Sequence, residues 1–459
     1  MLFRSRVGFA CAVNQEVINL LSEIDSVKTD ELTEDQKNIL DFLEQKSILN
    51  GSKEVNCISN APQEYTPTQV TLFVTNKCNL RCKYCYAAAG DWKPLTMDWS
   101  VATNTIERVI ENIHKVGGDH FSLGFHGGGE PLYPWDLIKR IVTYAEERCA
   151  DEKLGLTVYA ATNGILNEKQ LEWIVEHFSN LNISFDGLPH VQDYHRPMPN
   201  GKGSFAAIDR TMRYLDDHNF NYGIRCTISS YNIDLMDETI HFIGQNYKAK
   251  TVHLEPLFYC GRCKTNELMQ PDVDKFAENF IRAEPKCVPY GIKLTYSGNQ
   301  IGMLRNSFCG TTRDNFAVTP DGYITTCFEV TSKDEPKSDT FFIGRITEDG
   351  QIEINPEKRS FLNSLTVENL EYCQNCFAKW HCAGDCVNKI GHENYAGKRG
   401  HERCHLNRRL LKNHLVGLVE GTHQDPFTRY YGEQQEQSFD QKNIKLTHNE
   451  QGIKKETTS

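Results

Sequence analysis

Short apolar runs alternate with longer amphipathic windows from residue 66 onward, and this alternation restricts the possible fold more than any other feature of the chain. Strands separated by helical segments of this length are typical of βαβ units, in which each helix crosses over between parallel strands. The six predicted strands are Val70–Val74, Phe121–Phe125, Leu156–Ala160, Asn182–Phe185, Tyr222–Thr227 and Thr251–Leu254. The predicted helices between them include Trp99–Val116, Trp135–Cys149, Glu168–His177, Phe205–Asp217 and Asp234–Tyr247. The pattern predicts an α/β fold, either a partial (β/α)6 barrel or an open parallel sheet.

The unusual motifs of the chain follow the carboxyl ends of these strands. A cysteine-rich stretch (TNKCNLRCKYCY) follows the first strand, GGGEP the second, TNG the third and Asp186-Gly187 the fourth. In barrels and open parallel sheets the carboxyl ends of the strands carry the chemistry. The sequence therefore predicts one functional rim that brings all four motifs together.

Cys78, Cys82 and Cys85 form a CxxxCxxC pattern in the first of these motifs. Three thiolates ligate three irons of a four-iron, four-sulfur cluster and leave the fourth iron open to a small molecule such as S-adenosylmethionine. Structural zinc is the alternative, but it normally takes four ligands and leaves no open position. The spacing favours an iron-sulfur cluster.

Composition excludes several classes of function. A net charge of -11 argues against a nucleic-acid partner, because affinity for phosphate comes from clustered Lys and Arg. The sequence has neither an apolar run of roughly 18 residues nor a signal-peptide pattern, which predicts a cytoplasmic protein without a membrane partner. In a reducing compartment the 17 cysteines are expected to include metal ligands rather than to form disulfides.

A second group of cysteines lies further along the chain, too dense to be explained by burial of small apolar side chains. Its members are Cys309, Cys327, Cys373, Cys376, Cys382, Cys386 and Cys404. A zinc ribbon is a stronger alternative here, because the CxxC pair at 373 and 376 is a common zinc half-site.

The two cysteine groups together resemble the radical SAM enzymes with a C-terminal SPASM domain, of the peptide (RiPP) maturase type, over residues 66 to about 415. The resemblance implies that Cys78, Cys82 and Cys85 hold the catalytic [4Fe-4S] cluster and that two auxiliary clusters follow. It assigns Cys309, Cys327 and Cys386 to the first auxiliary cluster, and Cys373, Cys376, Cys382 and Cys404 to the second. The first then has either an open iron or a distant fourth ligand among Cys260, Cys263 and Cys287.

The same resemblance implies contacts to S-adenosylmethionine at the rim. Glu130 of GGGEP is placed at the amino group of the cofactor, and Arg196 at its carboxylate, for which the forked donors of arginine are suited. The full set of implied cofactor contacts is Tyr84, Gly128, Gly129, Glu130, Asn163, Ser184 and Arg196.

Four regions follow from these assignments: a small winged-helix-like module and linker (1–65), the radical SAM barrel (66–295), the SPASM domain (296–418) and a polar tail expected to be disordered (419–459). In the first region, helices are predicted from about Asn14 to Ile24 and from Thr33 to Gln45. The module weakly resembles the element that recognises leader peptides, and a simple cap on the barrel is the alternative.

The function implied by the resemblance is cleavage of S-adenosylmethionine to a 5'-deoxyadenosyl radical that abstracts hydrogen from a ribosomally made precursor peptide and forms a thioether or other crosslink. A reductant such as flavodoxin or ferredoxin is an expected partner. One alternative is an anaerobic sulfatase-maturating enzyme, although the Asp that commonly follows the cysteine matching Cys327 is replaced by Phe328 and Glu329. An iron-sulfur electron-transfer or redox-sensing protein is the alternative from another class.

Overall fold

The structure is a computed structural model that describes residues 1–4, 9–24, 32–50, 64–266, 268–298, 304–347, 350–390 and 402–421. Its strands are β1 (Leu2–Arg4), β2 (Phe9–Cys11), β3 (Gln69–Leu72), β4 (His120–Phe125), β5 (Gly155–Thr162), β6 (Asn180–Ser184), β7 (Tyr222–Ile228), β8 (Thr251–Pro256), β9 (Lys293–Thr295), β10 (Ala317–Val318), β11 (Tyr323–Thr325), β12 (Phe342–Ile346) and β13 (Ile352–Ile354). Its α-helices are α1 (Gln15–Glu23), α2 (Glu34–Gln45), α3 (Trp99–Val116), α4 (Trp135–Asp151), α5 (Glu168–His177), α6 (Pro189–His195), α7 (Phe205–Asp217), α8 (Met236–Asn246), α9 (Val273–Ala283), α10 (Ser338–Phe341), α11 (Pro356–Ser364), α12 (Lys379–Cys382), α13 (Val387–Ile390) and α14 (Glu402–Glu420).

Strands β3 to β8 pair in chain order and are all parallel, so the predicted α/β fold with a six-stranded parallel core is confirmed. The register brings the carboxyl ends of neighbouring strands level, with Leu72 opposite Phe125 and Phe125 opposite Ala160. These three side chains are fully buried. Level strand ends place the loops that follow them along one rim.

The C-terminal region extends this sheet beyond the predicted barrel. Strand β10 pairs in parallel with β3, and β11, β12 and β13 continue from it as antiparallel neighbours, while β9 extends the other edge beside β8. The cysteine-rich C-terminal region therefore begins as a continuation of the barrel sheet, next to the strand that precedes Cys78.

The helices of the barrel form where the apolar period matches the helical turn. Ile106, Val109 and Ile113 of α3 are completely buried, and the helix ends at Gly117, whose φ of +69° is readily adopted only by glycine. Helix α5 begins with a capping box in which Asn167 and Gln170 exchange hydrogen bonds between side chain and backbone. These local signals explain why the predicted and observed bounds of both helices agree.

The N-terminal residues form an antiparallel pair, β1 and β2, followed by α1 and α2. Ala10 of β2 packs against Leu411 and Leu415 of α14, so the module contacts the C-terminal helix. Its winged-helix-like character and its role in peptide recognition stay predictions. Residues 52–63 of the linker predicted from Ser52 to Thr68, and residues 422–459 of the predicted tail (419–459), lie outside the described residues. Among the helices that the structure describes, none has the length and apolar character needed to span a bilayer.

Candidate active site and metal centres

The loop after β3 brings Cys78, Cys82 and Cys85 together at the rim. All three side chains are half-buried. The backbone N–H groups of Leu80 and Ala89 donate to the sulfur atoms of Cys78 and Cys85, each over 3.4 Å. Burial, with a smaller contribution from the neighbouring thiols, raises the pKa of Cys78 and of Cys82 to about 12. Metal binding overcomes such a shift, because it deprotonates a coordinating thiol.

The GGGEP loop after β4 lies directly against the cysteine loop. A Cβ atom at Gly129 would lie 2.1 Å from the carbonyl oxygen of Lys77, and one at Gly128 would lie 3.1 Å from that of Thr75. Gly128 also has a φ of +67°. The N–H of Glu130 donates to the Lys77 oxygen over 2.8 Å. Glycine is therefore needed here because two backbones meet, a reason that the sequence motif alone did not reveal.

Glu130 lies inside the rim and joins two of its loops. Its carboxylate accepts hydrogen bonds from the Thr162 hydroxyl (2.7 Å), the Asn163 N–H (2.8 Å) and the Leu132 N–H (3.1 Å). Burial raises the pKa of Glu130, and these hydrogen bonds oppose that shift. A carboxylate offers about four acceptor positions, so the three donors leave room for one more. The arrangement fits a bound ammonium group.

Asn163, which follows β5, reaches the cysteine loop. Its side-chain amide donates to the Asn79 side-chain oxygen over 2.7 Å, and the same nitrogen lies 3.9 Å from the Cys78 sulfur. Its own side-chain oxygen accepts from the Ile165 N–H over 3.0 Å. Asn163 therefore borders the predicted cluster site as well as the GGGEP loop.

Tyr84 and Arg196 lie together on the other side of the cysteine loop. Both bind the carboxylate of Asp186, to which the sequence assigned no cofactor role. The Arg196 guanidinium pairs with Asp186, and its central carbon lies 5.1 Å from the centre of the Tyr84 ring. The Tyr84 hydroxyl donates to the same carboxylate. Ser184 is half-buried at the end of β6, two residues before Asp186. The structure thus groups the predicted contacts Tyr84 and Arg196 around Asp186.

The loop after β8 covers the cysteine loop, which the sequence did not predict. Arg262 donates from its two terminal nitrogens to the carbonyl oxygens of Cys82 and Ala89, each over 2.8 Å. Its backbone N–H donates to the Cys85 oxygen over 2.9 Å. A Cβ atom at Gly261 would lie 2.2 Å from that same oxygen, so the contact requires glycine. No local pattern signals this role.

The C-terminal cysteines lie near one another, and their assignment to two clusters stays a prediction. Burial raises the pKa of Cys327 well above its ordinary value, and the neighbouring Cys386 and Cys309 raise it further. Burial likewise raises the pKa of Cys373 to about 12, with Cys404 and Cys376 as its nearest thiols. One cavity is lined by the sulfur-bearing residues Cys373, Cys376, Cys382 and Cys404. Cys327 is thus a neighbour of Cys309 and Cys386, and Cys373 is a neighbour of Cys376 and Cys404.

The three candidates for a further ligand lie in different surroundings. Cys287 is buried in the core and its thiol donates to the Ala283 carbonyl oxygen. Cys263 is buried and its thiol donates to the Cys260 carbonyl oxygen over 2.8 Å. Cys260 is half-buried, and burial followed by the charge of Glu329 raises its pKa to about 12. The charge of Glu329 also raises the pKa of Cys327, so Cys260 shares a charged neighbour with that cysteine.

A buried ionic network attaches the C-terminal region to the barrel. Lys389, three residues after Cys386, donates to Glu255 of β8 over 2.8 Å. Arg403, next to Cys404, pairs with Asp385 over 2.8 Å and lies 3.6 Å from Glu255. These charges leave water in matched pairs, which is the arrangement that buried ions require. The network fixes both auxiliary groups relative to the end of β8.

Every described cysteine carries a free thiol. Within the described ranges no group of three or more His, Cys, Asp or Glu side chains is spaced to hold a metal ion. The cysteines are therefore assigned to centres by their grouping and their chemistry. Three half-buried thiols, two of which accept from backbone N–H groups, are bordered by a carboxylate and an arginine and suit an iron-sulfur cluster and a zwitterionic cofactor.

Residues 72–243 match the radical SAM superfamily. TigE of Paramaledivibacter caminithermalis, a radical SAM cyclopropyl synthase, is 24% identical over 438 residues, which cover 85% of this chain and 86% of that protein. An uncharacterized protein of Methanocaldococcus jannaschii is 31% identical over 172 residues, which cover 38% of this chain and 57% of its relative. That alignment therefore spans little more than half of the relative.

Among solved structures, native anSMEcpe with bound AdoMet and the Cp18Cys peptide matches with a TM-score of 0.61 at 16% identity, covering 77% of this chain and 98% of that one. At this level of identity the likeness is one of fold. The matched share extends well beyond residues 72–243, so the likeness includes more than the parallel barrel.

Proposed function

We propose, from the radical SAM domain that residues 72–243 form, that Cys78, Cys82 and Cys85 hold a [4Fe-4S] cluster and that S-adenosylmethionine binds beside it. When bound, the cluster supplies the electron that cleaves S-adenosylmethionine to methionine and a 5'-deoxyadenosyl radical, which takes a hydrogen atom from the substrate. The residues of the rim bind and orient the cofactor and exclude water from the site.

The close approach of Gly129 to Lys77 is the observation that supports this proposal most strongly. It places Glu130 beside the cysteine loop, with one acceptor position left for the ammonium group of the cofactor. Arg196 is proposed to bind the carboxylate, with Tyr84, Asn163 and Ser184 as further contacts. An electron-transfer protein would have no use for this set of charged and polar groups next to its cluster.

Two auxiliary [4Fe-4S] clusters are proposed in the C-terminal region. Cys373, Cys376, Cys382 and Cys404 line one cavity and supply four ligands to the second. Cys309, Cys327 and Cys386 supply three to the first, which leaves an iron for a substrate thiolate or for another cysteine. Cys260 is the proposed candidate for that other cysteine, because the charge of Glu329 raises its pKa and that of Cys327 alike.

The proposed substrate is a ribosomally made precursor peptide, in which the enzyme forms a thioether or other crosslink. The similarity to the cyclopropyl synthase TigE along 85% of the chain supports bond formation by a radical route. The fold shared with anSMEcpe, whose structure contains both AdoMet and a peptide, supports a peptide substrate. A small electron-transfer protein such as flavodoxin or ferredoxin is the proposed reductant.

The proposal is tested by anaerobic reconstitution with iron and sulfide, followed by reduction with dithionite in the presence of S-adenosylmethionine. We expect 5'-deoxyadenosine to form and its yield to rise when the cognate peptide is added, with a crosslinked product identified by mass spectrometry. The Cys82→Ala variant is the matched control and should form none. A fully loaded wild-type protein that never cleaves S-adenosylmethionine would contradict the proposal and favour an electron-transfer role.

A sulfatase-maturating activity is the second candidate, because serine-type and cysteine-type anaerobic sulfatase-maturating enzymes are among the relatives of this chain. Its test offers the same reconstituted enzyme a sulfatase-derived peptide containing the target Cys or Ser. Phe328 and Glu329 stand where an Asp commonly follows the matching cysteine, so we expect no formylglycine in that peptide. Formylglycine formation would make this candidate the better one.

A further inference from the structure

Asp186 lies at the centre of the predicted cofactor contacts on the β6 side of the rim. Its side chain is completely buried. The carboxylate accepts hydrogen bonds from Arg196 through Nε (3.0 Å) and Nη2 (3.2 Å), from the His195 ring (3.0 Å), from the Thr227 N–H (2.8 Å) and from the Tyr84 hydroxyl. Five donors therefore converge on one carboxylate, and three of them belong to Tyr84 and Arg196.

The carboxylate is ionised in this environment. Burial alone would raise the pKa of Asp186, but the charge of Arg196 and the hydrogen bond from His195 outweigh burial and hold the pKa well below its ordinary value. An ionised carboxylate makes charge-assisted hydrogen bonds, which are roughly twice as strong as neutral ones. Asp186 therefore holds the side chains of Tyr84 and Arg196 in place more firmly than packing alone would.

The pairing determines which part of Arg196 is left for a ligand. A guanidinium is planar and presents its donors in a rigid fork. Because Nε and Nη2 face Asp186, the edge between Nη1 and Nη2 is the one that can bind a second carboxylate. Charge also favours this arrangement, since Asp186 balances Arg196 while no ligand is present.

Asp186 is itself held from both sides. Its backbone N–H donates to the Gln192 side-chain oxygen over 2.8 Å. The second nitrogen of the His195 ring lies 3.0 Å from the Ser229 hydroxyl, so that His195 bridges the loops after β6 and β7. Gln192, His195 and Ser229 are fully buried. The carboxylate is thus a fixed point of the barrel rather than a mobile rim residue.

We infer that Asp186 is the positioning residue that sets the orientations of Tyr84 and Arg196 for S-adenosylmethionine. This inference rests on the proposed function, in which those two side chains contact the cofactor. Asp186 itself touches neither the cluster cysteines nor the cofactor in this role. It acts by keeping one edge of Arg196 occupied, so that the other edge faces the cofactor carboxylate, and by keeping the Tyr84 ring beside it.

The test compares Asp186→Asn with wild-type protein after anaerobic reconstitution. The amide keeps the size of the side chain but removes its charge, and one of its two acceptors becomes a donor. We expect unchanged iron content, a dissociation constant for S-adenosylmethionine raised by about tenfold or more, and a smaller change in the EPR spectrum of the reduced protein when S-adenosylmethionine is added. A structural role alone would leave the dissociation constant for S-adenosylmethionine and the EPR response to it unaltered.

Asp216→Asn is the matched control. Asp216 is also buried and accepts from the Tyr222 hydroxyl (2.7 Å) and the Lys248 N–H (3.1 Å). It lies near the start of β7, however, at the amino-terminal ends of the strands and away from the rim. We expect its variant to bind S-adenosylmethionine as the wild type does. If Asp186→Asn does not retain iron, Asp186→Glu replaces it, since the longer side chain keeps the charge but displaces the carboxylate from Tyr84 and Arg196, and this variant is expected to weaken binding severalfold.

The outcomes separate the inference from the proposed function. A wild-type protein that does not bind S-adenosylmethionine overturns both. A wild-type protein that binds it, together with a loaded Asp186→Asn protein of equal affinity and unchanged EPR response, overturns the role of Asp186 alone. Where Asp186→Glu is used in its place, equal affinity in that variant has the same consequence.

Discussion

The guanidinium of Arg262 donates to the carbonyl oxygen of Cys82 over 2.8 Å, although 180 residues of chain separate them. A second terminal nitrogen donates to Ala89, and Nε pairs with Asp91 over 3.0 Å. Arg262 therefore holds two points of the cysteine loop and one charged residue beyond them. A loop without regular structure gains its fixed shape from such contacts rather than from its own backbone.

Replacing Arg262 with alanine is expected to loosen the cysteine loop. Three donors are lost while two carbonyl oxygens remain near the protein interior, so the cost is about 1–3 kcal/mol. Reconstituted Arg262→Ala should lose iron faster than wild type when titrated with a chelator. Arg213, which pairs with Asp209 on the exposed face of α7, supplies the control Arg213→Ala. Equal rates of iron loss in the two variants would contradict the role of Arg262.

The Gly129→Ala substitution is expected to separate the GGGEP loop from the cysteine loop, because its Cβ atom would meet the Lys77 oxygen at 2.1 Å. We expect S-adenosylmethionine to bind about tenfold or more weakly, since Glu130 moves with the loop. Equilibrium binding under anaerobic conditions measures the effect. Gly118→Ala is the control, because the atom nearest to its Cβ would be 3.4 Å away. A Gly129→Ala protein with normal affinity would show that the loop tolerates displacement.

Removing a catalytic-cluster cysteine should remove one cluster only. With three clusters of four irons, wild-type protein is expected to hold about 12 irons and Cys82→Ala about 8. Iron analysis and Mössbauer spectroscopy provide the measurement. Cys287→Ala is the control and should keep the wild-type iron content. Cys287 is buried, and burial and the charge of Glu284 raise its pKa. A loss of all iron in Cys82→Ala would mean that the centres do not form independently.

The two proposed auxiliary clusters are expected to be lost independently when one of their cysteine ligands is replaced. Cys376→Ala should lose the cluster of the four-thiol cavity and keep the one near Cys327, whereas Cys327→Ala should do the reverse. EPR of the reduced variants distinguishes the remaining signals. Identical spectra for both variants would indicate a single shared centre in this region.

His126 is expected to make the protein sensitive to mild acid. Its ring packs 5.3 Å from that of Phe328, and its Nδ1 is buried without a hydrogen-bond partner among the described residues. Burial, followed by the charge of Arg225, lowers the pKa of His126 from 6.5 to about 4. Between these two values the unfolded chain binds a proton that the folded protein does not, so stability falls as pH falls.

The His126 contribution amounts to up to about 2 kcal/mol between pH 7 and pH 5. His126→Phe keeps an aromatic ring against Phe328 and removes the titrating group, so its urea midpoint should change less over this range. The midpoint is followed by tryptophan fluorescence at both pH values. His190→Phe, at an exposed position of α6, should behave as wild type. An unaltered pH response in His126→Phe would assign the acid sensitivity to other groups.

Sequence periodicity predicted the parallel core because each of its elements is encoded locally. The bounds of α3, α5 and α7 follow from an apolar period that matches the helical turn and, in α3 and α5, from residues such as Gly117 and Asn167 that end or begin a helix. The strands from β9 to β13 were not predicted, and four of them, β9, β10, β11 and β13, have only two or three residues, too few for an alternation to be recognised. Helix α6 was missed for a similar reason, since it has only seven residues.

The sequence by itself determined the spacing of Cys78, Cys82 and Cys85, the glycines of GGGEP and the order of motifs along the strands, since these are properties of neighbouring residues. The tertiary structure alone decided that Asp186 pairs with Arg196 and Tyr84 and that Arg262 contacts the cysteine loop. Such contacts form only when the parallel sheet brings the ends of its strands level, because only then do loops distant in sequence share one rim.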